Sequence, residues 1–242
     1  MRLLAIETAT PVASVAVVDP SGVLAEAMLP SPMRHLEGLL ATTDALLRGL
    51  GVGPAAIDGL AVSCGPGGFT GLRIGIATAA AWAQARAVPV LGVGTLEALA
   101  CVPGADGLVL AVLDAHRGEV AGALYRVDMR RALRDGQVER LLAPVVALPE
   151  AVAAEAAVHP GPLLLVGDGL VRYGARLRAA LGGRATDAGQ ALQPRASMVG
   201  LLALPRLARG ERTEPEALLP VYGRGPVAWP RQETPAKRGN PP

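Results

Sequence analysis

The chain has 242 residues, about half of them hydrophobic but only 2% aromatic, and its 23 basic residues nearly cancel its 21 acidic ones. That composition predicts a core of Ala, Val and Leu in one large domain or two small ones. It argues against autonomous nucleic-acid binding, which needs a basic stripe with stacking aromatics. The arginines 126, 130, 131, 134 and 140 alternate with Asp128, Asp135 and Glu139 and read as a solvated loop face. The one lysine, Lys237, lies in the tail, so no folded lysine serves a Schiff base or a phosphate loop. Cys64 and Cys101 form no metal pattern or disulfide framework, and the chain opens on a strand rather than a leader, so a reducing cytoplasm is expected. The longest uncharged stretch, Gly59 to Leu72, falls short of the roughly 20 residues of a membrane span.

Three strands are predicted first, over Arg2–Thr8, Ala13–Val18 and Val23–Leu29, the last two joined by the turn Asp19-Pro20-Ser21-Gly22. Glu7 closes the first strand. A carboxylate there holds a metal or water at a cleft mouth, or caps a turn; without a phosphate-binding partner the turn is favoured. Ser31-Pro32 reads as a helix start, followed by the stripe Leu36, Leu39, Leu40, Thr43, Leu46, Leu47 and Leu50. His35 opens that helix as a capping or surface residue.

An apolar run, Ile57 to Val62, then feeds Ser63-Cys64-Gly65-Pro66-Gly67-Gly68-Phe69-Thr70 and a small-residue helix from about Gly71 to Arg86. Glycines 65, 67 and 68 allow close approach of a phosphate or of a neighbouring backbone. As a nucleotide motif the loop is incomplete. No lysine stands where a Walker loop needs one, the second Gly-x-x step ends at Thr70, and Arg86-Ala87 occupies the place of the Rossmann acid. Gly65, Gly67, Gly68 and Thr70 remain weak cofactor-binding candidates. The helix has little bulk apart from Leu72, Ile74, Ile76 and Trp82, so it packs tightly on its own sheet or receives a helix of another protein.

A strand over Val88–Val93 and a helix over Gly94–Ala100 follow, before a break at Cys101–Gly107. The second half restarts with strands at Leu108–Asp114 and Glu119–Val127. Helices are expected at Pro149–Val158, Val171–Leu181 and Ala196–Arg209, with a buried strand at Leu163–Val166. Two α/β lobes of related design are predicted, 1–104 and 105–224, with a Pro/Arg-rich tail over 225–242. The last helix is a candidate to return to the first lobe.

Several stretches together resemble one family. They are Met1 to Thr10; Gly65 to Gly75, with Gly68 where the family normally has serine; Pro89-Val90-Leu91-Gly92-Val93 with Thr95-Leu96-Glu97; Asp114-Ala115 with Arg117-Gly118-Glu119-Val120; and Pro220-Val221-Tyr222 with Arg224. The family is TsaB, also called YeaZ, of bacterial tRNA threonylcarbamoyladenosine biosynthesis, and the likeness runs to about residue 230. It implies a two-lobed actin-like fold of the sugar-kinase and heat-shock-ATPase superfamily, with mixed sheets flanked by helices. It also implies a non-catalytic subunit that supports TsaD, the catalytic homologue, with the ATPase TsaE joining them and self-pairing when TsaD is absent. ATP and a metal are then expected in the partner subunits, none in this chain, and tRNA is met through the complex. TsaD-like chains carry two metal-binding histidines four apart after the Pro-Val-x-Gly-Val strand; here those positions are Thr95 and Leu99, and histidines 35, 116 and 159 are scattered. His116 stands where the family often has arginine. The family's interface uses the first two helices, which makes Leu36, Leu39, Leu40, Leu72 and Ile76 the expected contacts, although some must face the home sheet.

The competing reading is an enzyme of the same superfamily, a small-molecule kinase or a metal-dependent, peptidase-like hydrolase. Glu7 and Asp114 are the kinase's candidate carboxylates, but the turn after Asp114 lacks its glycine-threonine chemistry, and the hydrolase lacks its histidine pair. A third reading gives the glycine loop a share in a nucleotide site completed by the partner.

Overall fold

The computed structural model describes residues 1–30, 35–188 and 192–222, giving the backbone alone at 30 and 35–37. The Ser31-Pro32 helix start, Arg224 and the tail therefore lie outside the described residues. Two five-stranded sheets stack helices on both faces. The first contains β1 (Leu3–Glu7), β2 (Val12–Asp19), β3 (Gly22–Pro30), β4 (Gly59–Ser63) and β5 (Val90–Val93), in the order β3-β2-β1-β4-β5. The second contains β6 (Gly107–Asp114), β7 (Val120–Val127), β8 (Glu139–Ala147), β9 (Leu163–Val166) and β10 (Ala185–Asp187), in the order β10-β9-β6-β7-β8. In each, three antiparallel strands are followed by two that run parallel to the first, so the topology is repeated.

Between the strands run α1 (His35–Gly49), α2 (Phe69–Arg86), α3 (Thr95–Ala100), α4 (Met129–Asp135), α5 (Pro149–Ala157), α6 (Gly169–Leu181) and α7 (Ala196–Ala208). β1 is apolar almost throughout because both faces are covered. Leu4 and Ile6 pack with Leu39, Leu47, Ile76 and Ala79 beneath α1 and α2, while Leu3 and Ala5 join Val199, Leu202 and Ala203 of α7 on the other face. That second cluster continues into Val109, Ala111 and Ala123 of the other sheet, giving the two lobes one shared core. The first N–H groups of α7 are satisfied by the first sheet: Ala196 N–H donates to Ser14 Oγ at 2.9 Å and Ser197 N–H to Glu26 Oε1 at 3.0 Å. At Gly200 a Cβ would meet Val18 Cγ2 at 2.7 Å and Ala5 Cβ at 3.0 Å, so α7 rests directly on the strands.

One expectation is corrected. The arginine-rich segment is the end of β7, then α4 and the start of the edge strand β8 rather than a loop, although its charges do face solvent and pair locally, as Arg126 of β7 does with Glu139 of β8 at 3.4 Å. β10 was not anticipated, and α2 begins at Phe69 rather than Gly71. No helix of the described residues is long and apolar enough to cross a membrane.

Candidate functional site

The glycine loop is stitched into the chain on two sides. Gly65 N–H donates to Thr95 Oγ1 at 3.0 Å, and Thr95 N–H returns a bond to Gly65 O at 2.9 Å. Gly68 N–H donates to Ala9 O at 2.7 Å, and Thr8 Oγ1 donates to Gly71 O at 2.8 Å. The close approach that glycine permits is backbone against backbone. A Cβ on Gly67 would meet Ala9 Cβ and O at 2.5 Å, one on Gly65 (φ +108°) would strike Val221 O, and one on Gly75 would strike Thr8 Oγ1. Gly68 is different: at φ −63° and ψ 126° it is the N-cap of α2, and its Cβ would meet nothing nearer than Ala9 O at 3.5 Å.

Gly67, Gly68 and Thr70 border a cleft of about 380 Å³, walled by Thr8–Pro11 and the start of α2 on one side and by Leu113, Asp114, His116 and Asp168 on the other. Gly65 is buried behind the loop and does not line it. Asp168 Oδ1 accepts from Asp114 N–H at 3.1 Å and its Oδ2 from Gln193 Nε2 at 3.4 Å, while burial raises its pKa above the usual carboxylate value. Asp114 Oδ1 accepts from His116 N–H at 2.7 Å, and its Oδ2 lies 3.9 Å from Arg172 Nη1. Glu7 is not on the cleft wall. It is fully buried, its Oε1 takes the Ala9 N–H at 2.5 Å and so braces the turn after β1, and its Oε2 has no hydrogen-bond partner among the described residues. Burial pushes this carboxyl up to about 7, against the weaker pull of the Ala9 N–H and the neighbouring Ser63 hydroxyl.

Thr95 and Leu99 sit one turn apart on α3, the first bonded to the loop and the second closed in the core. The donors at that place are a hydroxyl already engaged and a hydrocarbon, which do not fit a metal ion. Among the described residues no three His, Cys, Asp or Glu side chains gather as a metal site. Burial raises the Cys64 thiol to about 11 and the Cys101 thiol to about 12, so both stay protonated at neutral pH.

The expected contact residues divide by burial. Leu39 and Leu72 are 0% exposed and Ile76 is 6% exposed, all inside this chain's own packing, whereas Leu40 is 50% exposed. Leu36 lies in the first turn of α1 with its side chain outside the described residues. The outer face of α2 carries a feature the sequence did not signal. The chain's own segment from Thr213 to Tyr222 is strapped along it: Thr213 bridges Val90, Gln84 Nε2 donates to Glu216 Oε1 at 3.0 Å, Leu218 enters the core, and Val221 N–H donates to Cys64 O at 2.6 Å. The strap ends where Tyr222 stacks on Phe69 with centroids 5.2 Å apart. There the Arg73 guanidinium lies 3.9 Å over the Phe69 ring and its Nε donates to Tyr222 Oη at 3.0 Å. Phe69, the only phenylalanine, and Tyr222 are conspicuous in a chain this poor in aromatics, which is the one sequence signal for their meeting.

Comparison with known proteins places this arrangement. The family model of TsaD, tRNA N6-adenosine threonylcarbamoyltransferase, matches residues 29–161. The tRNA threonylcarbamoyladenosine biosynthesis protein TsaB of Escherichia coli is 34% identical over 234 residues, which is 95% of this chain and 97% of that one. Among solved structures, YeaZ from Pseudomonas aeruginosa superposes with a TM-score of 0.77 at 31% identity, covering 91% of this chain and 99% of that one. The ROK hexokinase of Thermus thermophilus, at a TM-score of 0.50 and 15% identity over 87% of this chain and all of that one, shares the fold alone. The chain belongs to the family this model describes and, within it, to the TsaB (YeaZ) group of tRNA threonylcarbamoyladenosine biosynthesis.

Proposed function

We propose that this chain is a non-catalytic subunit that pairs with a TsaD-type threonylcarbamoyltransferase and holds it in its working form. The metal and the ATP of the reaction belong to the partner subunits, a TsaE-type ATPase joins the pair, and cytoplasmic tRNA meets the assembly rather than this chain. The observation that carries the reading is the state of α3 and the glycine loop. Thr95 and Leu99 stand where the transferase would have imidazoles, and the loop's N–H groups at Gly65 and Gly68 are bonded within the chain. Without imidazoles in place of Thr95 and Leu99 the chain lacks the ligands for a metal that would polarise the threonylcarbamoyl carbonyl. What it offers instead is surface on α1 and α2, where Leu40 is the exposed apolar residue of the stripe among the described side chains. Left alone, the same surface lets two copies pair.

The test is threonylcarbamoyladenosine synthesis reconstituted from the other components with and without this chain. Synthesis is expected to collapse on omission, and the chain alone is expected to turn over no ATP and modify no tRNA. Appreciable ATP turnover by the lone chain, abolished by Asp114→Asn, would instead establish the superfamily-enzyme reading centred on the cleft.

A further inference from the structure

Between α2 and the strap lies an open apolar groove of about 600 Å³. Its α2 wall is Arg73, Ile76, Ala77 and Ala80, and its strap wall includes Leu219 and Tyr222. Arg73, the one charged group lining it, lies at the end of the groove over the Phe69 ring and against the Tyr222 hydroxyl, and the remaining lining is apolar, so the groove asks for an apolar occupant. Leu219 is 69% exposed at its rim, a position that hydrophobic burial favours covering.

The chain continues for twenty residues beyond Tyr222, itself a groove residue. Of these, Gly223-Arg224-Gly225-Pro226 is turn-forming chemistry, and Val227-Ala228-Trp229-Pro230 is the tail's apolar stretch. Trp229 is seven residues past Tyr222, a reach of up to about 23 Å. The groove floor from Arg73 to Ala80 is eight helical residues, whose seven rises span about 10 Å. An indole so tethered is at a high effective concentration over the groove.

We propose that Val227–Pro230 is the occupant of this groove, with Trp229 between Ala77 and Leu219, and that in this position the tail shields part of the α2 face used for partner docking. The shielding rests on the function proposed above; the occupancy does not. The experiment labels the full chain with 5-fluorotryptophan, giving one fluorine resonance each for Trp82 and Trp229, assigned by the loss of one in Trp229→Phe. The Trp229 resonance is expected to be displaced from that of a synthetic 223–242 peptide. The displacement should be lost in Ala77→Glu and, should that variant fold poorly, in Leu219→Glu, whose site is exposed on the strap. A Trp229 resonance that coincides with the peptide's in the full chain overturns the proposal. So does a displacement that grows with protein concentration together with a dimer mass in sedimentation, because the occupant then comes from a second copy. Ending the chain at Tyr222 should tighten TsaD-type partner binding about tenfold, equivalent to about 1.4 kcal/mol. An unchanged affinity overturns the shielding, whereas absence of binding by either form counts against the proposed function and leaves the fluorine result standing.

Discussion

Glu7 is the residue at which burial and charge conflict most openly. Its pKa is raised from 4.5 to about 7 by desolvation, so the folded state holds its proton more tightly than the unfolded chain does. The resulting stability is fully present below the unfolded value and is lost as pH rises from about 4.5 through 7. The shift corresponds to about 3 kcal/mol at most. Urea unfolding at pH 5.5 and pH 8 should therefore show a decline that Glu7→Gln flattens; an equal decline in the variant would mean that another group controls it. The glycines make a second residue-scale contrast. Gly67→Ala forces a methyl against Ala9 and is expected to cost about 1–3 kcal/mol in unfolding experiments. Gly68→Ser, which restores the residue the family normally has, places a hydroxyl at the N-cap of α2 and should gain a few tenths of a kcal/mol.

At the scale of elements, α1 separates two jobs that a leucine stripe cannot distinguish by spacing. Leu39 is enclosed in the core, and Leu39→Ala is expected to destabilise by about 2–5 kcal/mol through the cavity it leaves. Leu40 points outward, and Leu40→Asp should leave the melting temperature nearly unchanged while abolishing co-purification with a TsaD-type partner. Retained co-purification by the folded variant would remove α1 from the docking surface. The segment that escaped prediction is instructive for the same reason. α4 carries ordinary boundary signals, with Asp128 accepting from Arg131 N–H at 3.0 Å and Gly136 at φ +65° closing the helix. Its charged exterior and seven-residue length hide the period. β8 is an edge strand with register irregularities and no fully buried residue, so its alternation is weak.

Across the whole molecule, one core cluster joins Leu3 and Ala5 to Val109 and Ala111 through α7, so the lobes are expected to unfold as one body. Trp82 fluorescence, read in a Trp229→Phe background, and the near-ultraviolet dichroism of Tyr125 and Tyr173 should unfold with coincident midpoints. Gly200→Val drives α7 off the first sheet and should lower both midpoints together, for about 1–3 kcal/mol of overpacking. Separated midpoints would show that α7 does not couple the lobes.

Local chemistry was enough to determine the α/β class, most of the strands and helices, and the glycine loop with its family likeness, because alternation, caps and tight turns are written in neighbouring residues. The sequence alone also showed that Thr95 and Leu99 lack imidazoles. What the loop does with its glycines, which leucines turn inward, and the closing of the Thr213–Tyr222 strap over α2 were decided only by tertiary structure. Those outcomes depend on pairs such as Gly67 with Ala9 and Phe69 with Tyr222, whose separation in the chain leaves no periodic trace. Their contact needs the first sheet in place and α2 laid between β4 and the returning strap.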